Sequence, residues 1–538
     1  MDYDWLIIGS GFGGSVSALR LSEKGYKVGV IEVGRRFEDE DFAKSTWQLN
    51  RFLWAPLLGL RGILRLTPFK DVFVASGAGV GGGSIVYANT LYRAKQEFFQ
   101  NSQWAGLANW EQELERPYAT AEHMLGVNTV PFASPGDKLL QDYAASIGTE
   151  ETFCRTPVAV FFGEPGKTVA DPFFDGEGPA RTGCISCGAC MVGCRVGAKN
   201  TLLKNYLWFA EKNGAEVLPN RRAVDIRPIG AADGRDGYEI RTQSPGLWRG
   251  KTKILRAQGV VVAAGALGTN HLLANCKHGG SLPNISDRLG RLVRTNSESI
   301  LAITLPDDSL KVSQSVAISS SIHTDADTHI EVVTYGEKGD FLNLLLTLIT
   351  GEGTRWTRVF LLLRNAVRHP IQFLQTLWPV GWSKKSIGLL VMQSLDNAIS
   401  FQAKKRWLGG GVRLSTEQDA AMPNPTYIDA GNKAATWIAA HTGGIAQSSV
   451  LEAVANIPVT AHILGGAAIG SDAEHGVIDS EQHVFNYEKL LVCDGSAVPA
   501  NPGVNPSLTI VAMTERAMSK IPTAEPSAKR HVIIATSI

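Results

Sequence analysis

The sequence lacks any apolar run long enough to cross a bilayer. Spanning helices need about 18 or more consecutive apolar residues, and the longest candidates, residues 52–60 and 341–349, are short and bordered by charge or glycine. It also lacks an excess of either charge, because 52 Lys and Arg against 51 Asp and Glu give a formal net charge of +1. Nucleic-acid-binding proteins normally show a clear basic excess. We therefore expect neither a membrane-spanning protein nor a nucleic-acid partner.

The sequence also shows no room for a secretion signal, because a glycine motif already begins at Gly9. We expect a cytoplasmic protein, with peripheral membrane contact as an open alternative. The 538 residues are 44% hydrophobic and 19% charged. A chain of this length and composition can bury a large core, and it predicts a globular enzyme with two interleaved domains.

Residues 4–32 predict a strand, a glycine turn, a helix and a second strand that ends in an acid. Gly9 permits a tight turn, Gly11 lets the backbone approach a pyrophosphate, and Gly14 lets helix and strand touch. The helix N-terminus offers N–H groups to phosphates, and Glu32 is placed to accept hydrogen bonds from ribose hydroxyls. The pattern predicts a dinucleotide site. The alternative is an ordinary turn in an α/β unit that binds no nucleotide.

A second glycine-rich loop follows at residues 76–89. Five glycines, at positions 77, 79, 81, 82 and 83, are too closely spaced for the interior of a helix or a strand, so we expect the loop to lie against a ligand. Residues 253–263 predict a buried strand that turns at Gly265 into a helix. The C-terminal part again indicates α/β packing and contains His462, Asp494 and Asn505.

These motifs, in this order along nearly the whole chain, resemble those of the glucose-methanol-choline (GMC) oxidoreductases, flavoenzymes that oxidise alcohols. The resemblance rests on both glycine loops, the turn at Gly265, the sequence Ala-His462-Ile-Leu-Gly-Gly and the sequence Val-Asn505-Pro. Within the family the chain is most similar to actinobacterial-type cholesterol oxidases, through residues 23–26, 88–92 and 295–300.

The resemblance implies an α/β fold, with a Rossmann-like FAD-binding domain of GMC type and an interleaved substrate-binding domain that contains an antiparallel sheet. It implies an FAD-binding domain at residues 1–110, 180–300 and 456–525, a substrate-binding domain at 111–179 and 301–455, and a C-terminal tail at 526–538. The implied cofactor is FAD. The implied FAD-binding residues are Gly9, Gly11, Gly14, Glu32, Gly81, Gly82, Ser84, Asn89, Val224, Gly265, Asp494 and Asn505.

Alcohol oxidation must remove a hydroxyl proton while a hydride passes from the carbinol carbon to flavin N5. His462 matches the family histidine that orients or deprotonates the alcohol, and Asn505 matches the family asparagine that polarises the oxygen. Outside these motifs a histidine is more often structural, and asparagine is common in turns. Some cholesterol oxidases also isomerise their product with a carboxylate. Glu331 and Asp340 are candidates, although we favour a solvated loop charge for both.

We therefore predict FAD-dependent oxidation of a lipophilic secondary alcohol, first of all a sterol, from the 3β-hydroxysteroid to the ketone. An alternative is a dehydrogenase for another hydrophobic alcohol that passes electrons to a protein or quinone instead of oxygen. A lyase of the same fold, with a structural flavin, is a more remote alternative. His462 and Asn505 disfavour an electron carrier without a substrate of its own.

Four of the seven cysteines, Cys184, Cys187, Cys190 and Cys194, have the spacing C-x2-C-x2-C-x3-C of bacterial ferredoxins. Some GMC sugar dehydrogenase subunits carry such a cluster beside the flavin. We expect a [4Fe-4S] or [3Fe-4S] cluster that would pass electrons onward from reduced flavin. Free thiols, zinc and disulfides are the alternatives; zinc ligands are usually spread over two distant C-x2-C pairs, and disulfides are rare in the cytosol.

Two segments, residues 51–65 and 355–378, combine apolar and basic side chains. Their pattern is typical of interfacial helices, which place aromatic residues on one side and arginines toward lipid headgroups. Lids that cover a substrate domain are the alternative. Either interpretation suits a lipophilic alcohol.

Overall fold

The structure, a computed structural model, describes residues 1–246, 250, 252–406 and 410–525. The predicted C-terminal tail lies outside these residues. The described part contains the helices α1 (Phe12–Glu23), α2 (Leu49–Phe52), α3 (Gln96–Phe99), α4 (Trp110–Leu125), α5 (Pro135–Ser146), α6 (Tyr206–Lys212), α7 (Gly265–Gly279), α8 (Arg355–Arg368), α9 (Pro370–Thr376), α10 (Asp429–Thr442), α11 (Val450–Ala455) and α12 (Ser507–Lys520).

A seven-stranded mixed sheet lies at the centre of the largest hydrophobic core. Its order is β12 (Glu216–Leu218), β2 (Val28–Ile31), β1 (Tyr3–Ile8), β15 (Lys253–Val262), β14 (Tyr238–Gln243) and β13 (Arg222–Pro228), and β27 (Leu490–Val492) also pairs with β15. Strands β12, β2, β1, β15 and β27 are parallel, and Ile8 is in register with Ile31 and Val262. Their carboxyl ends therefore meet at one edge, where doubly wound sheets bind ligands.

A second seven-stranded sheet is antiparallel throughout. Its order is β20 (Leu346–Leu348), β24 (Ile445–Ser449), β17 (Ser299–Thr304), β21 (Ser386–Gln393), β19 (Thr328–Val333), β18 (Ile318–His323) and β8 (Cys154–Arg155). Helices α5 and α10 pack against it around a core of its own. The two sheets confirm the predicted α/β architecture with an antiparallel sheet inserted between segments of the mixed one.

The remaining strands form smaller sheets. One contains β23 (Val412–Gln418), β22 (Ile399–Lys405), β16 (Val293–Arg294) and β26 (Leu464–Gly465), and another contains β25 (Val459–Thr460), β6 (Phe73–Gly77) and β5 (Leu64–Pro68). The pairs are β3 (Trp54–Ala55) with β4 (Leu60–Arg61), β7 (Asn128–Thr129) with β9 (Pro157–Val158), and β10 (Thr168–Val169) with β11 (Arg181–Thr182). The domain boundaries stay a prediction; α4, assigned from the sequence to the substrate-binding domain, packs against α12.

The predicted interfacial helix at residues 51–65 is wrong. The segment contains the end of α2, the β3–β4 pair and the start of β5, because Pro56 lacks an N–H and Gly59 takes a φ of 77° that turns the chain back. The second segment does form helices, α8 and α9. No helix in the described ranges combines the length and apolarity that crossing a bilayer requires.

Candidate active site

The first glycine turn packs too tightly for any side chain. A Cβ on Gly9, whose φ is 107°, would lie 2.1 Å from the carbonyl oxygen of Ala263, and a Cβ on Gly14 would lie 1.9 Å from the carbonyl oxygen of Gly9. The Cβ position of Gly11, in contrast, meets no atom closer than 3.9 Å. The turn is therefore close-packed on its protein side and open at Gly11, as a pyrophosphate-binding turn must be.

The second glycine loop lies directly on the first. A Cβ on Gly82, whose φ is 53°, would come within 2.5 Å of the Cα of Gly11. The Gly81 N–H donates to the Ser10 hydroxyl at 3.1 Å. Ser84 is tied within the protein, because its hydroxyl donates to the Gly81 carbonyl at 2.7 Å and accepts from the Leu202 N–H at 3.1 Å. The structure thus brings together the two loops that the sequence predicted to line one ligand.

Glu32 lies just beyond the end of β2 and is buried. Its Oε2 accepts hydrogen bonds from the Ser10 N–H at 3.1 Å and hydroxyl at 2.7 Å, and its Oε1 accepts from the Gly34 N–H at 2.8 Å. Burial raises the pKa of Glu32, while these donors oppose the rise. The carboxylate is therefore held in a fixed position at the strand edge.

Asp494 closes the opposite side of the same edge. One oxygen accepts from the Gly265 N–H at 2.9 Å and the Thr269 hydroxyl at 2.5 Å, and the other accepts from Ser496. Burial raises the pKa of Asp494. Asp494 thereby joins the segment after β27 to the N-terminus of α7.

Val224, another of the predicted FAD-binding residues, lies in β13 where the register shifts by a bulge.

Asn89 is fully buried in a left-handed conformation, with a φ of 70°. Neither its side-chain oxygen nor its nitrogen has a hydrogen-bond partner among the described residues. A buried amide without partners is costly. This orphaned pair of atoms fits the prediction that Asn89 binds a polar cofactor.

His462 follows β25 and is paired with Glu298, which directly precedes β17. The imidazole Nδ1 is hydrogen-bonded to Glu298 Oε1, and Glu298 Oε2 accepts from the Ala461 N–H at 2.7 Å. The His462 N–H donates to the Thr460 hydroxyl at 2.9 Å. A proton on Nδ1, facing the carboxylate, leaves Nε2 as an acceptor. Sequence reasoning assigned no role to Glu298, although it lies in a stretch that carries the family resemblance.

Asn505 is buried just before α12, and its Nδ2 donates to Glu331 Oε2 at 3.3 Å. The remaining polar side-chain atoms of the two residues are Asn505 Oδ1 and Glu331 Oε1, and neither has a hydrogen-bond partner in the described part of the chain. Burial raises the pKa of Glu331 to about 8, and the charge of Glu298 adds to the rise. Glu298, the partner of His462, is thus near enough to Glu331 for its charge to act on that carboxyl group.

The two pairs are also joined through the backbone. The Asn296 side chain donates to the Val504 carbonyl at 3.0 Å and accepts from the Gly503 N–H at 3.0 Å, while the Asn296 N–H donates to Asn501 at 2.8 Å. These bonds fix the segment before Glu298 against the segment before Asn505. No local pattern in the sequence indicated them.

The interpretation of Glu331 and Asp340 as solvated loop charges is wrong. Glu331 is 0% exposed within β19. Asp340 accepts hydrogen bonds from the Gly381 N–H at 2.9 Å and from Ser383 at 2.9 and 2.8 Å. Asp340 therefore holds a loop together, whereas Glu331 belongs to the site.

The four cysteines at 184–194 line one apolar cavity together with Lys199. All seven cysteines are free, so the disulfide alternative is wrong for this structure. Burial raises the pKa of Cys184 to about 12 and that of Cys190 to about 11. Among the described residues, no three or more His, Cys, Asp or Glu side chains are arranged to hold a metal ion. The structure thus gives the predicted cluster no support as a metal site.

Comparison with known proteins gives consistent matches. GMC oxidoreductase family models match residues 180–289 and 410–514. The chain is 50% identical over 536 residues to a cholesterol oxidase of Mycobacterium tuberculosis, covering 97% of this chain and 91% of that protein. It is 45% identical over 527 residues to a cholesterol oxidase of Acinetobacter baumannii, covering 97% and 94%.

Solved structures share the fold at much lower identity. A pyridoxine 4-oxidase from Mesorbium loti superimposes with a TM-score of 0.63 at 16% identity, covering 96% of this chain and 98% of that one. A fungal aryl-alcohol oxidase gives a TM-score of 0.59 at 12% identity, with coverage of 96% and 98%. At such identities the likeness concerns the fold alone.

Proposed function

The chain belongs to the GMC oxidoreductase family, and from that membership we propose that it is an FAD-dependent alcohol oxidoreductase that oxidises the 3β-hydroxyl of a sterol to the ketone. The proposal is supported by the full-length similarity to two proteins named cholesterol oxidase. Oxygen, as in an oxidase, is the proposed electron acceptor.

The observation that carries the proposal is the His462–Glu298 pair beside the Asn505–Glu331 pair. Glu298 holds the imidazole by Nδ1, so Nε2 is free to accept the proton of the alcohol. Glu298 also stabilises the imidazolium that forms, as the carboxylate of a catalytic triad does. In this assignment His462 is the catalytic base and Glu298 is its positioning residue.

Asn505 supplies the second polar contact. Its Nδ2 is tied to Glu331, while its buried Oδ1 has no partner within the described ranges and is available to a bound group. At neutral pH Glu331 is protonated and therefore adds no second negative charge beside Glu298. The site can accordingly bind a neutral hydroxyl group, and no cation is needed to offset a second negative charge.

The residues present fit FAD, because Gly11 is open, the two glycine loops meet, and Asn89 is buried without a partner. Bound FAD would supply the acceptor for the hydride of the carbinol carbon. The residues that would hold it are those around Gly9, Gly11 and Glu32 for the nucleotide half, and those around Gly82 and Asn89 for the ring.

Anaerobic mixing of the holoenzyme with cholesterol tests this assignment. We expect the flavin absorbance to bleach with cholesterol and to stay unchanged with cholesteryl acetate, whose oxygen carries no proton. His462→Ala should slow bleaching by a factor of about 10² to 10⁴. Product formed without bleaching would support the lyase alternative, and equal bleaching rates in parent and variant would refute the role of His462.

A second candidate activity is isomerisation of the ketone product by Glu331. Burial raises the pKa of Glu331 to about 8, so the ionised fraction of this carboxyl group, which grows as pH rises toward 8, is a stronger base than an ordinary carboxylate. In that form it can take a proton from one carbon, and the protonated form can then return it to another. Glu331→Gln should leave flavin bleaching intact and abolish the ultraviolet absorbance of the conjugated enone. Enone formation at the parent rate would exclude Glu331.

We also propose that the cysteine cavity takes up an iron–sulfur cluster. The proposal rests on the ferredoxin spacing of the four cysteines, whose side chains line one apolar cavity. Lys199 donates to the Cys190 carbonyl at 3.0 Å and to the Tyr87 carbonyl at 2.9 Å, which links the cavity to the loop before Asn89.

Iron and sulfide analysis with EPR of anaerobically purified protein tests the cluster. We expect about three or four iron atoms per chain, lost in Cys190→Ser and retained in Cys276→Ser, a buried cysteine outside the cavity. Protein without iron would refute the cluster and leave an oxidase with reduced thiols.

A further inference from the structure

Helices α8 and α9 expose a continuous stripe of large apolar side chains. On α8, Trp356, Phe360, Leu363 and Val367 are 76%, 65%, 61% and 80% exposed. The stripe continues through α9 and the following turn with Ile371, Leu374 and Trp378, which are 73%, 65% and 69% exposed. The spacing of four and three residues places the α8 residues on one face of the helix.

The opposite side of α8 includes two polar side chains that are hydrogen-bonded to the rest of the protein. Arg358 is 0% exposed and donates to the Thr426 carbonyl at 2.6 Å and to Asn456 at 3.1 Å. On the same inner face, Asn365 donates to the Ile349 carbonyl at 3.0 Å. A helix that directs Arg358 inward and Trp356 outward is not arranged for contact with water alone.

The charged residues of the two helices all have one sign. Residues 355–376 contain four arginines and no Asp or Glu, and Arg355, Arg364 and Arg368 are exposed. On a helical wheel, Arg364 and Arg368 flank the stripe on one side and Arg355 on the other. Apolar side chains flanked by guanidinium groups, on helices that carry no acidic residue, complement acyl chains beneath anionic phosphates.

We propose that this face, defined by Trp356, Phe360, Leu363, Val367 and the apolar residues of α9, docks the protein on an anionic lipid surface. The helices lie in the plane of the headgroups, with the apolar stripe among the acyl chains and the three exposed arginines at the phosphates. The lipid contact does not depend on which alcohol the enzyme oxidises.

The docking face is built onto the frame of the active site. Arg358 lies 3.9 Å from Glu452, and Glu452 accepts a hydrogen bond from the Ser299 hydroxyl at 3.1 Å. Ser299 directly follows Glu298, the partner of His462. The inner face of α8 is thus fixed to the strand that carries the positioning carboxylate, and a docked enzyme would hold its site at a set height above the lipid.

Flotation of the full-length holoenzyme with vesicles tests the proposal. We expect binding to vesicles of phosphatidylcholine with phosphatidylglycerol and weaker binding to phosphatidylcholine alone. Phe360→Asp with Val367→Asp should lower the bound fraction by about tenfold or more. Arg364→Gln with Arg368→Gln should weaken binding to the anionic vesicles at low salt, and high salt should reduce the difference from the parent.

A matched control is Ile254→Asp with Leu310→Asp, which removes two apolar side chains that are 51% and 45% exposed elsewhere. This variant should float like the parent. The proposal is overturned if the parent does not float, or if the stripe variant and the control variant float equally. Sedimentation without lipid gives a further test. If the parent sediments as a dimer and only the variant with Phe360→Asp and Val367→Asp is a monomer, the face binds a second copy of the chain and the lipid proposal is overturned.

The stripe variant should keep its FAD content and oxidise detergent-dispersed cholesterol at the parent rate. Flotation with no sterol oxidation by any form would overturn the proposed function and leave the lipid contact standing. Oxidation of dispersed sterol without flotation would overturn the lipid contact and leave the proposed function standing.

Discussion

Replacing Glu331 by Gln should stabilise the protein more at high pH than at low pH. The carboxyl group is 0% exposed in β19, and glutamine keeps its shape and an oxygen for the Asn505 amide. The variant therefore removes the ionisation and little else. Its effect on the pH dependence of stability can be calculated from the structure.

The sign follows from proton binding in the two states. Burial raises the pKa of Glu331 from 4.5 to about 8, so the folded protein keeps a proton that the unfolded chain releases between these values. The unfolded chain binds fewer protons in this window, and the free energy of unfolding falls as pH rises. At about 1.36 kcal/mol per pH unit, the loss reaches about 4 to 5 kcal/mol at pH 8.

Thermal unfolding of FAD-saturated parent and variant at pH 5 and pH 8 measures this difference. With an unfolding entropy of about 2.1 cal/mol/K per residue, a chain of this length gains about 1 °C in Tm per kcal/mol. Between pH 5 and pH 8 the parent loses about 3.5 kcal/mol through this group, so the Tm of Glu331→Gln relative to the parent should rise by about 3 °C.

The control is Glu337→Gln, which removes an exposed carboxylate from the loop that follows β19. Its Tm difference from the parent should be the same at both pH values. If Glu331→Gln also shows no pH-dependent difference, or gains stability toward low pH, the assignment of a buried, protonated Glu331 is refuted.

Glu298→Gln should slow anaerobic flavin bleaching by cholesterol by a factor of about 10² or more while FAD content stays unchanged, because the imidazole loses its anchoring charge; bleaching at the parent rate would contradict this. Gly82→Ala should lower FAD content and destabilise the protein by about 2 kcal/mol more than Gly148→Ala, since both glycines have positive φ but only the first would clash; equal Tm losses would exclude the clash. Arg358→Met should cost about 3 to 5 kcal/mol by leaving Glu452 unpaired, and adding Glu452→Gln should recover much of it; a double variant less stable than Arg358→Met alone would argue against the pair.

The first glycine unit could be predicted from the sequence because its determinants are local. Apolar residues in β1, glycines at fixed offsets and the acid after β2 all lie within one βαβ-type unit. The same is true of β15, which matches the buried strand predicted at residues 253–263. In each case the period of the side chains and the flanking turn residues were sufficient.

The β3–β4 hairpin could not be predicted from composition. Its apolar and basic residues have the same character as those of α8, and the difference lies in Pro56 and in the left-handed turn at Gly59. The stripe on α8 has no such residue between Trp356 and Val367. Composition indicated a common interfacial role, whereas the positions of proline and glycine decided which segment became a helix.

Glu298 and Glu331 could not be assigned because their partners are distant in the chain. Glu298 meets His462 across 164 positions, and Glu331 meets Asn505 across 174. A carboxylate in a polar stretch resembles any surface charge until the sheet that buries it is known. The position of β19 between β18 and β21 buries Glu331 and brings it to Asn505.

The connection between the His462–Glu298 pair and the Asn505–Glu331 pair, the proposed catalytic pairs, depends on two residues with unusual backbone conformation. Asn296 and Ser297 both have positive φ, at 58° and 47°. Residues other than glycine adopt such angles only when surrounding contacts compensate for the backbone strain. Here the compensation comes from the bonds of Asn296 to Gly503 and Val504. Because those bonds hold the turn, Glu298 can face His462 while the chain still enters β17 in register. The strained turn therefore holds Glu298, the partner of His462, against the segment that leads to Asn505.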